Sequence, residues 1–143
     1  MSILLPQPEG IPAPHPSLRS EPYWEGCRRH RLLYQQCTQC GYHGLGAFTV
    51  CAQCHATSPI WVASAGRGSL YSWTVVWRPP NPSFHVPYAP AVVRLDEGVW
   101  MMSAVIGCEP DALHVDMPLT VEFHPASREI TLPYFTPVTE SLQ

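Results

Sequence analysis

Two Cys-x-x-Cys pairs, Cys37/Cys40 and Cys51/Cys54, lie ten residues apart, and nothing else in the chain limits its fold as tightly. Each pair sets two sulfurs one tight turn apart. Ten residues suffice for a hairpin that brings both turns to one ion in tetrahedral geometry. Gly41 directly follows the first pair, where such a turn wants a residue tolerant of positive φ; His55 holds the matching place after the second. The spacing predicts a four-cysteine zinc ribbon over 34–58, with His55 at the surface or behind the ligands. A redox-active pair would normally stand at a helix N-terminus, which two pairs at ribbon spacing argue against. Iron on the same four thiolates is not distinguished from zinc by spacing. Four thiolates leave no open position for water or substrate, so the metal is expected to hold the fold and not to catalyse. Cys27 and Cys108 fall outside the paired spacing and read as small buried hydrophobes.

At 143 residues the chain can hold one ordinary domain, or a metal-stapled module joined to a compact barrel. Its charged fraction of 13% is about half the usual share. Five Trp, six Tyr and 17 Pro add uncharged area of the kind that is buried against protein partners. The formal charge is −3, and a zinc-bound set of four thiolates would add about two more negative charges. All eight basic residues are Arg, and only Arg28, Arg29 and Arg31 cluster, so a phosphate-tracking nucleic-acid surface is not expected. No run approaches the roughly 20 apolar residues that span a bilayer, and no basic segment precedes an apolar one at the N-terminus. No membrane association is expected, and the chain reads as cytoplasmic, where paired cysteines more often bind metal than form disulfides.

Along the chain, residues 1–16 carry Pro6, Pro8, Pro12, Pro14 and Pro16 and read as a Pro-rich tail with little to bury. Residues 17–33 form the N-terminal helical segment, with a short amphipathic helix over Ser20–Arg31 in which Tyr23, Trp24 and Cys27 share a face. Its basic end is favourable against the helix dipole; a phosphate- or partner-binding role for the same arginines stands beside that reading. After the ribbon, residues 59–138 are all β, with strands expected at 60–65, 68–78, 90–96, 99–107, 119–124 and 130–135. Leu119, Val121 and Phe123 alternate with Thr120, Glu122 and His124, one face in and one out. Asp96-Glu97-Gly98 reads as a tight turn, and 109–115 as a single helical turn. So few hydrophobic strands suit a small closed barrel, with 139–143 as a C-terminal tail. The Pro79–Ala89 stretch, with Phe84, His85 and Tyr88 among four prolines, cannot continue a ladder; it is either a binding loop or a cap on its own barrel. The histidines are scattered and compose no nucleophile-base-carboxylate set.

The order of motifs carries a resemblance. Tyr23-Trp24-Glu25-Gly26 precedes the ribbon, Gly66-Arg67-Gly68-Ser69-Leu70-Tyr71-Ser72-Trp73-Thr74 follows it, and Arg78-Pro79-Pro80, Val86-Pro87-Tyr88, Leu95-Asp96-Glu97-Gly98, Gly107-Cys108-Glu109-Pro110 and Met117-Pro118-Leu119 come after. Over about residues 20–137 the chain resembles the DUF35 family. The resemblance implies a mainly β chain: an N-terminal helix, a rubredoxin-like zinc ribbon on four cysteines and a small OB-fold barrel. It further implies a non-catalytic accessory subunit of thiolase-superfamily enzymes, either thiolases or lipid-transfer-protein-like aldolases, including those that cut steroid side chains by retro-aldol chemistry. Such a subunit would be required by its acyl-CoA aldolase or thiolase complex and would help to form the CoA thioester site, with structural zinc as its own cofactor. On that reading Trp24, Arg28, Arg29, Arg31, Trp77, Arg78, Phe84, His85 and Tyr88 are the candidates for acyl-CoA or partner contact. The segment between the two cysteine pairs, Gly41 to Phe48, lacks the basic residues often found there in the family, which leaves the arginines of the helix as substitutes. A single-stranded nucleic-acid-binding OB and zinc-ribbon protein is the alternative, since exposed aromatics can stack on bases; the net charge opposes it.

Overall fold

The structure is a computed structural model and describes residues 2–44 and 46–138; the expected C-terminal tail at 139–143 lies outside the described residues. The first regular element is α1 (Glu21–Arg28), with Glu21 in its first turn and a proline at its start. It ends earlier than the expected Arg31. His30 takes φ 60°, its N–H donates to Cys27 O at 3.0 Å, and the Arg31 N–H donates to Gly26 O at 2.8 Å. These two bonds satisfy the last carbonyls of the helix and turn the chain out of it. The His30 ring then stacks on Phe123, with centroids 5.2 Å apart and 16° between the planes.

The chain next forms a three-stranded antiparallel sheet in the order β2-β1-β3, from β1 (Leu33–Cys37), β2 (His43–Gly44) and β3 (Pro59–Ala63). Sequence patterning groups the strand at 60–65 with the barrel strands. It pairs instead with β1 over its whole length, Leu33 opposite Ala63 through Cys37 opposite Pro59. Both it and its barrel neighbours are β-branched and aromatic, and only the pairing tells them apart.

The barrel comprises β4 (Arg67–Trp73), β5 (Ala89–Leu95), β6 (Trp100–Val105), β7 (Pro118–Pro125) and β8 (Thr131–Pro137), closed in the order β4-β5-β6-β8-β7. On β5 the alternation is complete: Ala89, Ala91, Val93 and Leu95 are buried and the residues between them are not. Leu70, Val93, Leu95, Val105, Leu119 and Phe135 meet in the centre. β4 closes on β7 and β5 at once, and Gly68 permits it: a Cβ there would run into the Arg94 carbonyl oxygen. The expected strand at 68–78 stops at Trp73, and only a lone bridge between Val76 and Tyr88 continues the pairing. β6 and β8 run parallel and pair at a single position, Val105 with Phe135. A 3-10 turn (Pro110–Ala112) occupies the place of the expected helical turn.

The proline-rich N-terminal residues do not behave as an unordered tail. Leu4 is 1% exposed and packs in the barrel core. Its N–H donates to Cys108 O and its carbonyl accepts from Gly107 N–H, both at 2.8 Å. Ile11 joins Ala126 and Ile130 in a second small core against which Trp24 and Phe84 pack. Composition predicts disorder because prolines dominate the segment; two well-placed aliphatic side chains override it. Among the described residues no helix is long and apolar enough to cross a membrane.

Candidate functional site

The two Cys-x-x-Cys turns are near copies of each other. In the first, Gly41 at φ 81° donates its N–H to Cys37 O at 3.0 Å. In the second, His55 at φ 66° donates to Cys51 O at 2.9 Å. The left-handed position that glycine fills cheaply in one turn is thus held by histidine in the other, and the His55 side chain is exposed at the surface. Amides point at the sulfurs: Gln39 N–H at Cys37 Sγ, and both Gln53 and Cys54 N–H at Cys51 Sγ, each at 3.4 Å.

All four sulfurs lie within 4.8 Å of one another, with Cys37 to Cys54 and Cys40 to Cys51 each at 3.6 Å. A tetrahedral ion with bonds of about 2.3 Å to sulfur separates its ligands by about 3.8 Å, so the donor set fits zinc in size, number and softness. Cys37 and Cys51 are buried and Cys40 and Cys54 face outward. Amide donors at Cys40 and Gln39 hold the Cys37 thiol below its ordinary value. At Cys51, burial pushes the thiol up, but the Cys54 and Gln53 amides and the neighbouring sulfurs outweigh it and bring it down to about 6. At Cys40 and Cys54 the Tyr42 and Ala56 amides pull the thiols down, but burial and the neighbouring sulfurs outweigh them and hold both above the ordinary value; thiolates are the metal-binding form.

The site is anchored to the barrel through the 96–98 turn. Glu97 accepts from Ser64 Oγ and from Ala65 N–H, both at 2.8 Å, fixing the link between β3 and β4. Burial raises the Tyr34 phenol above its usual range, and the Glu97 carboxylate adds to this. Behind the ribbon sheet, the buried Gln35 side chain accepts from Phe48 N–H at 2.6 Å.

The other candidates divide. Trp24, Phe84 and Tyr88 come together on one cavity of about 310 Å³ on the outer face of the barrel. Patterning has no means of finding its remaining walls, because Leu5, Ala104 and Leu132 are ordinary apolar residues brought together by topology. His85 is exposed, and its backbone N–H and C=O are both bonded to the Gln7 side chain at 2.7 and 3.0 Å. Arg28 and Arg29 pair with Glu25 at 3.3 and 3.2 Å on the exposed side of α1. Arg31, Trp77 and Arg78 are exposed, Trp77 beside Glu109 and Asp111. Cys27 is fully buried; burial drives its thiol up to about 11, against a smaller opposing effect of the Tyr23 hydroxyl. Cys108 is half-buried, and burial raises it too.

A closed five-stranded barrel carrying a four-cysteine ribbon and a leading helix defines a class of small two-part β protein with a candidate metal staple. The ChsH2 C-terminal OB-fold domain profile matches residues 61–124. In the solved Ltp2-ChsH2(DUF35) aldolase, a chain 31% identical superposes with a TM-score of 0.81, covering 87% of this chain and 98% of that one. The chain belongs to the DUF35 family. Among relatives, a probable enoyl-CoA hydratase alpha subunit of Thermomonospora curvata is 33% identical over 87% of this chain. The 3-oxo-4,17-pregnadiene-20-carboxyl-CoA hydratase alpha subunit of Mycobacterium tuberculosis is 28% identical over 81% of it. This chain spans only 40% and 37% of the length of those two proteins. A DUF35 domain-containing scaffold protein of Methanothermobacter thermautotrophicus is 25% identical, over 71% of this chain and 78% of its own length.

Proposed function

We propose that this chain is a non-catalytic accessory subunit that binds a thiolase-superfamily enzyme, of the thiolase or lipid-transfer-protein-like aldolase type, and helps to form its acyl-CoA site. The observation that carries the reading is its likeness, over 98% of that chain's length, to the DUF35 component of an aldolase assembly. The scaffold name of a relative agrees with it. The aldolase name of the superposed assembly supports retro-aldol cleavage as the reaction of the complex, and the name of the mycobacterial relative, a pregnadiene-carboxyl-CoA hydratase subunit, supports a steroid CoA ester as its substrate class.

In this role Cys37, Cys40, Cys51 and Cys54 hold zinc. Zinc held there would supply a structural cross-link between the two turns; of the chain's own residues, Glu97 ties the ribbon to the barrel, and His30 ties the end of α1 to β7. Arg31, Arg78, Trp77 and His85 stand at the surface for contact with the enzyme or the CoA portion of its substrate, with Arg28 and Arg29 available if they leave Glu25. The one hydrogen-bonded histidine-carboxylate pair among the described residues is His124 with Glu122 at 2.7 Å, and no serine or cysteine bonds to it. Co-expression with a thiolase-superfamily aldolase of the Ltp2 type, followed by size-exclusion chromatography, tests the proposal. Co-elution at fixed stoichiometry is expected; separate migration at micromolar concentration would refute it.

A further inference from the structure

The outer face of the barrel carries a roofed apolar cavity whose chemistry differs from that of a CoA or phosphate site. Met101 and Val105 are buried in the barrel core, so strand alternation turns Met102 and Ala104 outward. Beyond the single Val105–Phe135 pair β6 and β8 make no further ladder, and the cavity lies over this seam. The N-terminal segment, α1 and the 79–88 loop roof it, contributing Leu5, Ile11, Trp24, Phe84 and Tyr88. Phe84 and Tyr88 present stacked rings, 5.7 Å between centroids at 25°.

No charged side chain lines this space. Three of its polar side chains, Gln7, Ser103 and Tyr134, are bonded within the chain, and the rings of Tyr23, Trp24 and Tyr88 complete its lining. Both ends of the Gln7 amide bond the His85 backbone. The Tyr134 hydroxyl accepts from Gln7 N–H at 3.1 Å, and Ser103 Oγ donates to Pro133 O at 3.0 Å. The Gln7–Tyr134 bond pins the N-terminal segment to β8, and the Gln7–His85 bonds pin the 79–88 loop to that segment, so the walls are held in place by the chain itself. A phosphate or carboxylate would find no cationic side chain among the described lining residues to replace its hydration. The volume, about 310 Å³, falls within the small-molecule range. It is about twice that of an apolar cavity known to take benzene, which scales to a guest of about a dozen carbons.

We propose that this half-open cavity is a binding site for an uncharged hydrocarbon moiety, aliphatic or alicyclic, lying between the N-terminal segment and the outer face of β6 and β8. The site belongs to this chain alone and does not depend on its assembly with an enzyme. The test therefore uses the full-length zinc-loaded chain by itself, titrated calorimetrically with primary n-alkanols from hexanol to hexadecanol. One saturable site is expected, with affinity rising about fourfold per added methylene and levelling off near about a dozen carbons. Ala104→Leu, which takes up about three carbons' worth of the space, should weaken binding of the longer alkanols and move the levelling-off to a shorter chain at unchanged zinc content and circular dichroism. Leu132→Trp serves the same purpose from the β8 side if the first variant does not fold. Absence of saturable binding, an affinity that climbs without levelling, or unchanged binding by a folded filled variant would each overturn the assignment.

Discussion

At the scale of single residues, the chain separates thiols by environment. The ribbon sulfurs sit among amide donors, whereas Cys27 sits in an apolar helix face beside Tyr23 with its thiol raised to about 11. The consequence for stability follows from proton counting. Between about pH 9 and pH 11 an unfolded Cys27 ionises while the folded one stays neutral. The unfolded state then binds fewer protons, and stability falls as pH rises through that window. Urea unfolding at about pH 8 and about pH 10 should show this loss, and Cys27→Ala should reduce it; a Cys27→Ala slope equal to that of the parent chain would contradict it. Gly68 offers a second test. A methyl group there collides with the Arg94 carbonyl, so Gly68→Ala should lower stability by about 1–3 kcal/mol, read as a shifted urea midpoint at constant slope. The cysteine spacing makes the four-sulfur cluster legible before any coordinates. The left-handed turn conformation of His55 is legible only from its place after the second cysteine pair, matching Gly41, because histidine itself does not mark a positive φ.

At the scale of elements, the N-terminal segment changes most between sequence and structure. Leu4 inserts into the barrel core, and replacing it with Ala should cost about 2–5 kcal/mol, as for other buried leucines. Thermal or urea denaturation of Leu4→Ala checks this; a neutral result would return the segment to the role of a loose tail. Strand patterning finds β5 and β7 because one face of each is packed, with Leu119 buried and Val121 and Phe123 against the core. It misjudges the end of α1, since Arg29, His30 and Arg31 are compatible with helix and only the bonds to Gly26 and Cys27 stop it. It leaves two readings for the Pro79–Ala89 loop. Phe84 packs with the small core around Ile11 and Ile130, so the loop caps its own barrel, and in doing so walls the apolar cavity.

At the scale of the whole molecule, ribbon and barrel share one hydrophobic core, with Leu32 and Tyr34 in the same cluster as Leu70, Val93 and Phe135. The ribbon sheet has three strands, one of them two residues long, which is too little buried area to stand without a cross-link. Chelation of the metal should therefore release the ribbon, seen as loss of amide protection in β1 and β3 ahead of the barrel strands in hydrogen exchange; simultaneous loss everywhere would show that Glu97 and His30 make the two units one cooperative body. The barrel and ribbon order is readable because the motifs stand in family sequence. The cavity is not, because its walls come from five separated stretches of chain. The accessory-subunit reading is tested most directly by reconstitution: the activity of a thiolase-superfamily aldolase is measured on its acyl-CoA substrate while the zinc-loaded chain is titrated in, beside Cys51→Ser. Activity that rises to saturation with the parent chain and stays absent with Cys51→Ser is expected. An enzyme fully active alone, or equal activation by a folded Cys51→Ser chain that holds no metal, would contradict the account.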